Sequence, residues 1–493
     1  MKVNRVLRFE KYLVPVAVIV FLAASLGAAA NRLPWSDEGW FSSASYNLSK
    51  HGFMGTTVLR DSPGLLHIDR YTYWVMPLFL VGQAIWYVFT PETMLWTRAF
   101  SVAWGLAGLW AFHRLLIRLF PGEAVASVAT ALLATSFVYI DNSGFGRPDV
   151  PCLALGLMAL AFYMDYRETN MNRAMLLANT CLSASMMMHP NAVYHAAALG
   201  AVIVWLDLRR LRWQNLTLAL LPYLAAAALW GIYISFDYAA FSAQMRTNGV
   251  NNDRFTKTLN PLAILVNEVQ GRYLYTFGFM TRGLSMLKAA ALAAYLLGLG
   301  VCLSAASLRR SLSVKLLLVW TAVYFAGLCV FNQKLSYYMV HIVPMYVALT
   351  AVAVCWAWHS IPKWRPLLVA AVMGLVLLEV GGIAARAYTR SYVASQRALV
   401  RYLREHTPAG GSIAGTAALL FEMDFDPRLR DDPKLGIASG WEPDVVVVES
   451  IYRDHYAGWN TLHPADMAQI RERLEKQYKV GYREGEYEVY LRR

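Results

Sequence analysis

The two acids in Pro34-Trp35-Ser36-Asp37-Glu38-Gly39-Trp40 are the first residues of the chain arranged for chemistry. Adjacent carboxylates repel, so holding both ionised calls for water, a cation or hydrogen bonds. Without them one carboxyl keeps a proton to higher pH and can act as a general base near neutrality. The same residues also suit a structural task, with Ser36 as a helix N-cap and Asp37 and Glu38 favourably placed in the first helical turn. A second group is Gly144-Phe145-Gly146-Arg147-Pro148-Asp149, where Pro148 suits the start of a helix. Arg147 there either reaches to a lipid interface or meets an anion. A third is Asn332-Gln333-Lys334-Leu335-Ser336-Tyr337-Tyr338 with His341 following. On a helix, Lys334, Tyr338 and His341 share one face. That face can hold a phosphate, lysine offering three donors and tyrosine another, or serve as an interfacial belt. Arg60, Arg70, Arg98, His189-Pro190-Asn191 and Arg272-Tyr273 complete the set.

The elements that must position these residues are membrane helices. Of 493 residues 57% are hydrophobic and only 16% charged, and the mean hydropathy is +0.37. A soluble chain carries more charge than this. Apolar stretches of about 16 to 22 residues alternate with short charged loops, the length that crosses about 30 Å of hydrocarbon as a helix. The pattern predicts eleven spans, near 12–30, 96–113, 123–140, 150–166, 173–188, 192–206, 215–236, 286–306, 315–331, 339–358 and 366–385. The first follows a basic N-terminus and lacks a convincing cleavage site, so it reads as a span rather than a leader. The five cysteines, Cys152, Cys181, Cys302, Cys329 and Cys355, lie in or beside apolar stretches without paired spacing, and read as packing residues.

The net charge of +13 raises the question of a nucleic-acid partner. From Arg390 onward, fifteen Lys or Arg stand against sixteen Asp or Glu, so the excess belongs to the membrane part. Nucleic acid is not implied. The stretch Tyr73–Phe89 is apolar enough to cross but contains Pro77, Gly82 and Gln83. If it does not cross, the loops holding Arg114/Arg118, Arg167/Arg173, Arg209/Arg210/Arg212, Arg309/Arg310/Lys315 and Lys363/Arg365 share the side of the basic N-terminus, as the positive-inside rule asks. It is therefore expected to be a re-entrant or interfacial helix. The N-terminus is then cytoplasmic. Residues 1–389 form a transmembrane catalytic domain, whose outer face receives long loops at 31–95 and 237–287 and short loops around Asp149, His189 and Lys334.

Residues 390–493 change character and read as a small extracytoplasmic α/β domain. The pattern predicts an amphipathic helix through Ala394–His406, a buried strand at Val445–Val448, a helix over Pro464–Lys479 and an edge strand at Tyr487–Leu491. No glycine-rich phosphate fingerprint follows a strand.

Acids and several cations at one membrane face suit an anionic lipid-linked donor. The cations stabilise a phosphate leaving group while a carboxylate takes a proton from an acceptor hydroxyl. Over residues 12 to 345 the sequence resembles the GT-C glycosyltransferases of the protein O-mannosyltransferase and aminoarabinose lipid A transferase type. The resemblance is carried by Ser36-Asp37-Glu38-Gly39-Trp40, Thr97-Arg98-Ala99-Phe100, Arg147-Pro148-Asp149 and Lys334 through Pro344. It implies a polyprenyl-phosphate sugar donor, Asp37 as the catalytic carboxylate with Glu38 in support, and inversion at the anomeric carbon. By resemblance Arg98 matches the family's arginine, and a juxtamembrane helix is expected in the first outer loop, where Tyr73–Phe89 stands. The family's His-Pro-Pro or Lys-Pro-Pro before that helix is replaced here by Leu66-His67-Ile68-Asp69-Arg70-Tyr71.

The donor phosphate is assigned to Arg98, Arg147 and Lys334, with Tyr338 and His341 alongside, and substrate contacts to Asp149, His189, Arg272 and Tyr273. No metal ligands are assigned. Protein cations can neutralise a lipid monophosphate, so the chemistry requires no cofactor and is compatible with a divalent metal. The expected partners are the lipid-linked donor, membrane lipids and a lipid, glycan or protein acceptor, in a bacterial inner membrane. Two other readings stay open. A secondary transporter would use Glu379, inside the last span, and a non-catalytic scaffold would leave the acidic pair unexplained.

Overall fold

The computed structural model describes residues 7–122, 124–251, 254, 256, 258, 260–388 and 391–493. The first part of the basic N-terminus and the expected domain boundary at 389/390 lie outside these. The chain divides into two compact units. One comprises Met1–Ala29, Arg98–Ile232 and Asn252–Ala387, the other Ala30–Thr97, Tyr233–Asn251 and Tyr388–Arg493.

The first unit is helical. Among the described residues nine helices are long and apolar enough to cross a membrane, and a tenth span is made if Val125–Thr135 and Phe137–Ser143, bent by 60° at Ser136, count as one. The protein is thus a multi-pass membrane protein. The expected span near 173–188 is a helix, Met171–Met188, but Asn172, Arg173 and Asn179 dilute its apolar character and it does not join the nine. Ser136 takes an extended backbone (φ −67°, ψ 128°), which breaks the helical ladder. Glu379 answers the break: its Oε2 accepts the N–H of Phe137 at 2.7 Å. An intramembrane acid that looked like a transport residue thus satisfies a backbone donor that lipid could not.

Basic residues at three of its helix ends meet two buried acids. The Nε atoms of Arg114 and Arg118 each lie 2.5 Å from Asp165, and Arg167 and Arg210 converge on Asp207. Arg114 and Arg118 are one turn apart on Met94–Leu119, so one carboxylate serves both.

The second unit is built around helix Ser36–His51, with Trp35 at the N-cap in place of the expected Ser36. Its buried face packs on the helix Pro77–Phe89, where Phe41 meets Phe79 edge-on at 5.8 Å and Tyr87 donates to Ser42 Oγ at 3.1 Å. At 13 residues Pro77–Phe89 spans about 20 Å, too short to cross. Its apolar Ile85, Val88 and Phe89 remain exposed, as a juxtamembrane helix requires. Gln244, fully buried on helix Tyr238–Arg246, clasps the preceding loop. Its Nε2 donates to the carbonyls of Leu66 and Tyr71 at 2.8 Å, and its Oε1 accepts the N–H of Tyr73 at 2.8 Å.

The C-terminal part carries a five-stranded sheet. Its strands are β1 (Ile413–Ala414), β2 (Leu429–Arg430), β3 (Val445–Val448), β4 (Tyr478–Glu484) and β5 (Tyr487–Arg492), in the order β2-β1-β3-β5-β4. β1 pairs in parallel with β2 and β3, while β5 runs antiparallel to both β3 and β4. The expected edge strand is therefore interior, and β4, bulged between Val480 and Tyr482, forms that edge. The helix from Pro464 stops at Gln477, since Tyr478 already belongs to β4.

Candidate functional site

In the second unit, the acidic pair opens helix Ser36–His51. Glu38 is buried and turned back on its own helix start. It accepts the Trp35 N–H at 3.1 Å while its own N–H donates to the Trp35 carbonyl at 3.0 Å, satisfying donors that a helix start leaves unmade. Asp37 is partly exposed. One carboxylate of the pair is thus held as a cap, and the other is accessible to solvent.

The residues just behind this pair fasten it to the C-terminal sheet domain. A Cβ on Gly39 would stand 2.1 Å from the Ala417 carbonyl oxygen, so only a bare backbone allows the approach. Trp40 Nε1 donates to Asp431 Oδ2 at 2.8 Å, and the same carboxylate accepts the Ala417 N–H and the Tyr452 hydroxyl. Burial pushes the Asp431 carboxyl up to about 6 despite these bonds, and pushes Glu449, which accepts from Thr416, up to about 7. Both folded values lie above those of the unfolded chain. Their contribution to stability is complete below about pH 4 and is lost as pH rises through 6 to 7. The thermal midpoint is therefore expected to fall between pH 5 and 8. Glu449→Gln, neutral throughout, should shrink that fall, and an unchanged pH slope in the variant would contradict this account.

In the first unit, helix ends bring most of the predicted donor residues into two buried clusters. Pro148 caps the helix Asp149–Tyr166, which places Arg147 and Asp149 at its start. Arg147 Nε donates to Asp149 Oδ2 at 3.0 Å, and its guanidinium lies 3.7 Å from the Tyr337 ring centre. His341 Nε2 stands 4.0 Å from Asp149 Oδ1 and 3.4 Å from Asn191 Nδ2. His189 accepts the Asn191 N–H on Nδ1, and its ring lies 5.7 Å from that of Tyr338. Burial, with Arg147 and Arg254 adding positive charge nearby, holds the His189 imidazole well below its ordinary range.

The second cluster is centred on Glu268. Its carboxylate lies 3.1 Å from Arg272 Nη1 and 2.8 Å from Lys334 Nζ, all three side chains being buried. The Arg272 guanidinium lies 5.9 Å from the ring centre of Tyr338, which joins the two clusters. The single face expected for Lys334, Tyr338 and His341 does not form. Ser336–His341 is a 3₁₀ turn and Lys334 precedes it, so lysine turns to Glu268 while the other two join Arg147 and Asp149. Tyr273 shares a hydrogen bond with the Tyr346 hydroxyl at 2.8 Å. Arg98, fully buried, donates to the Ala29 carbonyl at 2.7 Å, near the C-terminal end of the first helix.

Sequence reasoning missed Glu268, although its four-residue spacing from Arg272 on adjoining helical turns was readable. It also missed Cys152 and His195, which join His341 in a buried group with metal-ligating donors. Arg147 is paired with Asp149, and Arg272 and Lys334 share Glu268.

No protein-family model matches the sequence, and no curated protein matches it. Solved structures do match. The crystal structure of ArnT from Cupriavidus metallidurans bound to undecaprenyl phosphate aligns with a TM-score of 0.62 at 13% identity, covering 97% of each chain. The apo form of the same protein gives 0.61 at 15% identity. The archaeal oligosaccharyltransferase AglB from Archaeoglobus fulgidus, in complex with an inhibitory peptide and a dolichol-phosphate, gives 0.53 at 14% identity, over 99% of this chain and 75% of that one. At such identities the likeness lies in the path of the backbone, and it runs from end to end: this chain has the fold of the GT-C glycosyltransferases.

Proposed function

We propose that the protein is an inverting glycosyltransferase that moves a monosaccharide from a polyprenyl-phosphate donor to a hydroxyl of a lipid, glycan or protein acceptor. The observation that carries the reading is the end-to-end likeness to ArnT, a structure that holds undecaprenyl phosphate. It is supported by the buried arginines and lysine, Arg147, Arg272 and Lys334, gathered at helix ends of the first unit. Asp37 takes the proton of the acceptor hydroxyl. The oxygen then attacks the anomeric carbon from the face opposite the phosphate, the bond from that carbon to the phosphate oxygen breaks, and the electron pair leaves with polyprenyl phosphate. The leaving group gains one negative charge, and Arg147 and Lys334 stabilise it electrostatically. Arg98, Tyr338 and His341 line the donor, and Glu38 holds the helix start that presents Asp37. By the distribution of basic loops, the N-terminus is cytoplasmic and transfer takes place on the opposite side of a bacterial inner membrane.

Binding of undecaprenyl phosphate to the full-length protein in detergent, followed by native mass spectrometry, tests the donor site. Arg147→Gln should raise Kd at least tenfold, the size expected when one member of a buried charge pair is lost. Arg210→Gln, at the Asp207 cluster, should leave Kd unchanged. A wild-type protein that takes up no polyprenyl phosphate would remove the donor assignment.

A further inference from the structure

We propose that Cys152, His195 and His341 form a metal site for one divalent ion of the zinc class, which staples together the three segments that carry Asp149, His189 and Tyr338. One ligand atom from each lies within 4.8 Å of the other two, and all three side chains are fully buried. A point equidistant from three atoms at that outer spacing is about 2.8 Å from each. Each ligand then has to close by less than about 1 Å to reach the 2.0–2.3 Å of zinc bonds to nitrogen and thiolate.

The state of the two imidazoles argues for ligation. His195 Nε2 and His341 Nδ1 are buried without a hydrogen-bond partner, a condition that interiors ordinarily avoid. The opposite nitrogen of each ring is engaged: His195 Nδ1 lies 2.5 Å from the Tyr324 hydroxyl, and His341 Nε2 faces Asn191 and Asp149. Ligating histidines are oriented in this manner, with an outer partner on one nitrogen and the ion on the other. The ring of His195 also needs Gly156, since a Cβ there would stand 2.1 Å from its Cγ. Cys152 Sγ is steered by Ser185 Oγ at 3.3 Å and the His189 carbonyl at 3.7 Å.

One thiolate and two imidazoles suit zinc or copper among the divalent ions rather than magnesium or calcium. Three protein ligands leave the fourth tetrahedral position to an exogenous oxygen. Cys152 sits on the helix begun by Asp149, His195 follows His189 and Asn191, and His341 ends the turn that holds Tyr338. An ion at this point fixes those three segments to one another. Its role is to hold the site's shape, so it is separable from the transfer step.

The test is metal content and cobalt spectroscopy of the full-length protein in detergent. The expected result is about one zinc per chain as purified and, after exchange with Co²⁺, a thiolate-to-cobalt charge-transfer band with tetrahedral d–d bands. Cys152→Ser should abolish the charge-transfer band, His195→Gln should weaken the d–d bands, and Cys355→Ser should change neither. Removing the metal from the wild-type protein with a chelator should lower its thermal midpoint, and zinc should restore it, a readout that stands even if Cys152→Ser folds poorly. Trace metal without a thiolate band, or a band that survives in a folded Cys152→Ser protein, would overturn the site. Neither readout depends on turnover, so loss of this proposal leaves the transferase reading intact, and the reverse holds.

Discussion

Asp37→Asn is expected to reduce sugar transfer by a factor of about 10² to 10⁴ while leaving donor binding and the thermal midpoint near those of the parent. The asymmetry follows from the two carboxylates. Glu38 is buried against the Trp35 N–H and holds the helix start, whereas Asp37 is partly exposed and is the carboxylate proposed as the base. Asparagine has the shape of aspartate and cannot take the proton, so the chemical step should slow and the fold should stay. Glu38→Gln should behave differently, with a lowered thermal midpoint accompanying any loss of activity. Single-turnover rates on purified protein, set beside melting curves, separate the two. A fully active Asp37→Asn protein would end the general-base assignment.

The largest stability effect is expected at Glu268. Its carboxylate lies between Arg272 at 3.1 Å and Lys334 at 2.8 Å, with none of the three open to solvent. Glu268→Gln removes the charge that both cations were folded against, and a buried pair broken in this way costs about 3–5 kcal/mol. Part of that cost should return in the double variant Glu268→Gln with Lys334→Met, because one of the two stranded charges is gone. Both cations keep backbone carbonyl partners, Lys334 those of Cys329 and Phe331 and Arg272 that of Gln333, so the return should be partial. Thermal or urea unfolding of the variants in detergent measures this. A Glu268→Gln protein as stable as the parent would show that the cluster is not a structural unit.

Some of this was legible in the sequence. Charge parity along the loops placed Tyr73–Phe89 on the membrane surface, because moving it across would have moved five basic clusters with it. The structure has a helix there of 13 residues. Hydropathy found the long spans because lipid permits little else. It also found Met171–Met188 as a helix of span length, though one less apolar than the nine, and it could not see the bend at Ser136 or that Glu379 answers it. From sequence β5 reads as an edge because Tyr487, Val489 and Leu491 alternate with Glu488 and Tyr490. Alternation reports which face is buried and carries no information on whether a strand is paired on both sides.

The site was half legible for a similar reason. Arg147, Asp149, His189, Lys334, Tyr338 and His341 stood out because polar residues at span ends are uncommon. Their pairing was decided by backbone geometry that periodicity does not encode, and the 3₁₀ turn Ser336–His341 sent Lys334 to a different partner from Tyr338. Cys152 reads as a packing residue from sequence and His195 does not stand out, because ligand spacing along the chain signals a metal only when the ligands come in local pairs. Here they come from three segments, 43 and 146 residues apart in sequence.

The central claim is tested most directly by incubating the purified full-length protein with a panel of polyprenyl-phosphate sugars and a pool of hydroxyl acceptors, following release of polyprenyl phosphate and the anomeric configuration of the product. The expected result is turnover of at least one donor, with inverted configuration and loss of turnover in Asp37→Asn. Retention of configuration would contradict the mechanism, and no release from any donor that the protein binds would contradict the claim that it is a glycosyltransferase.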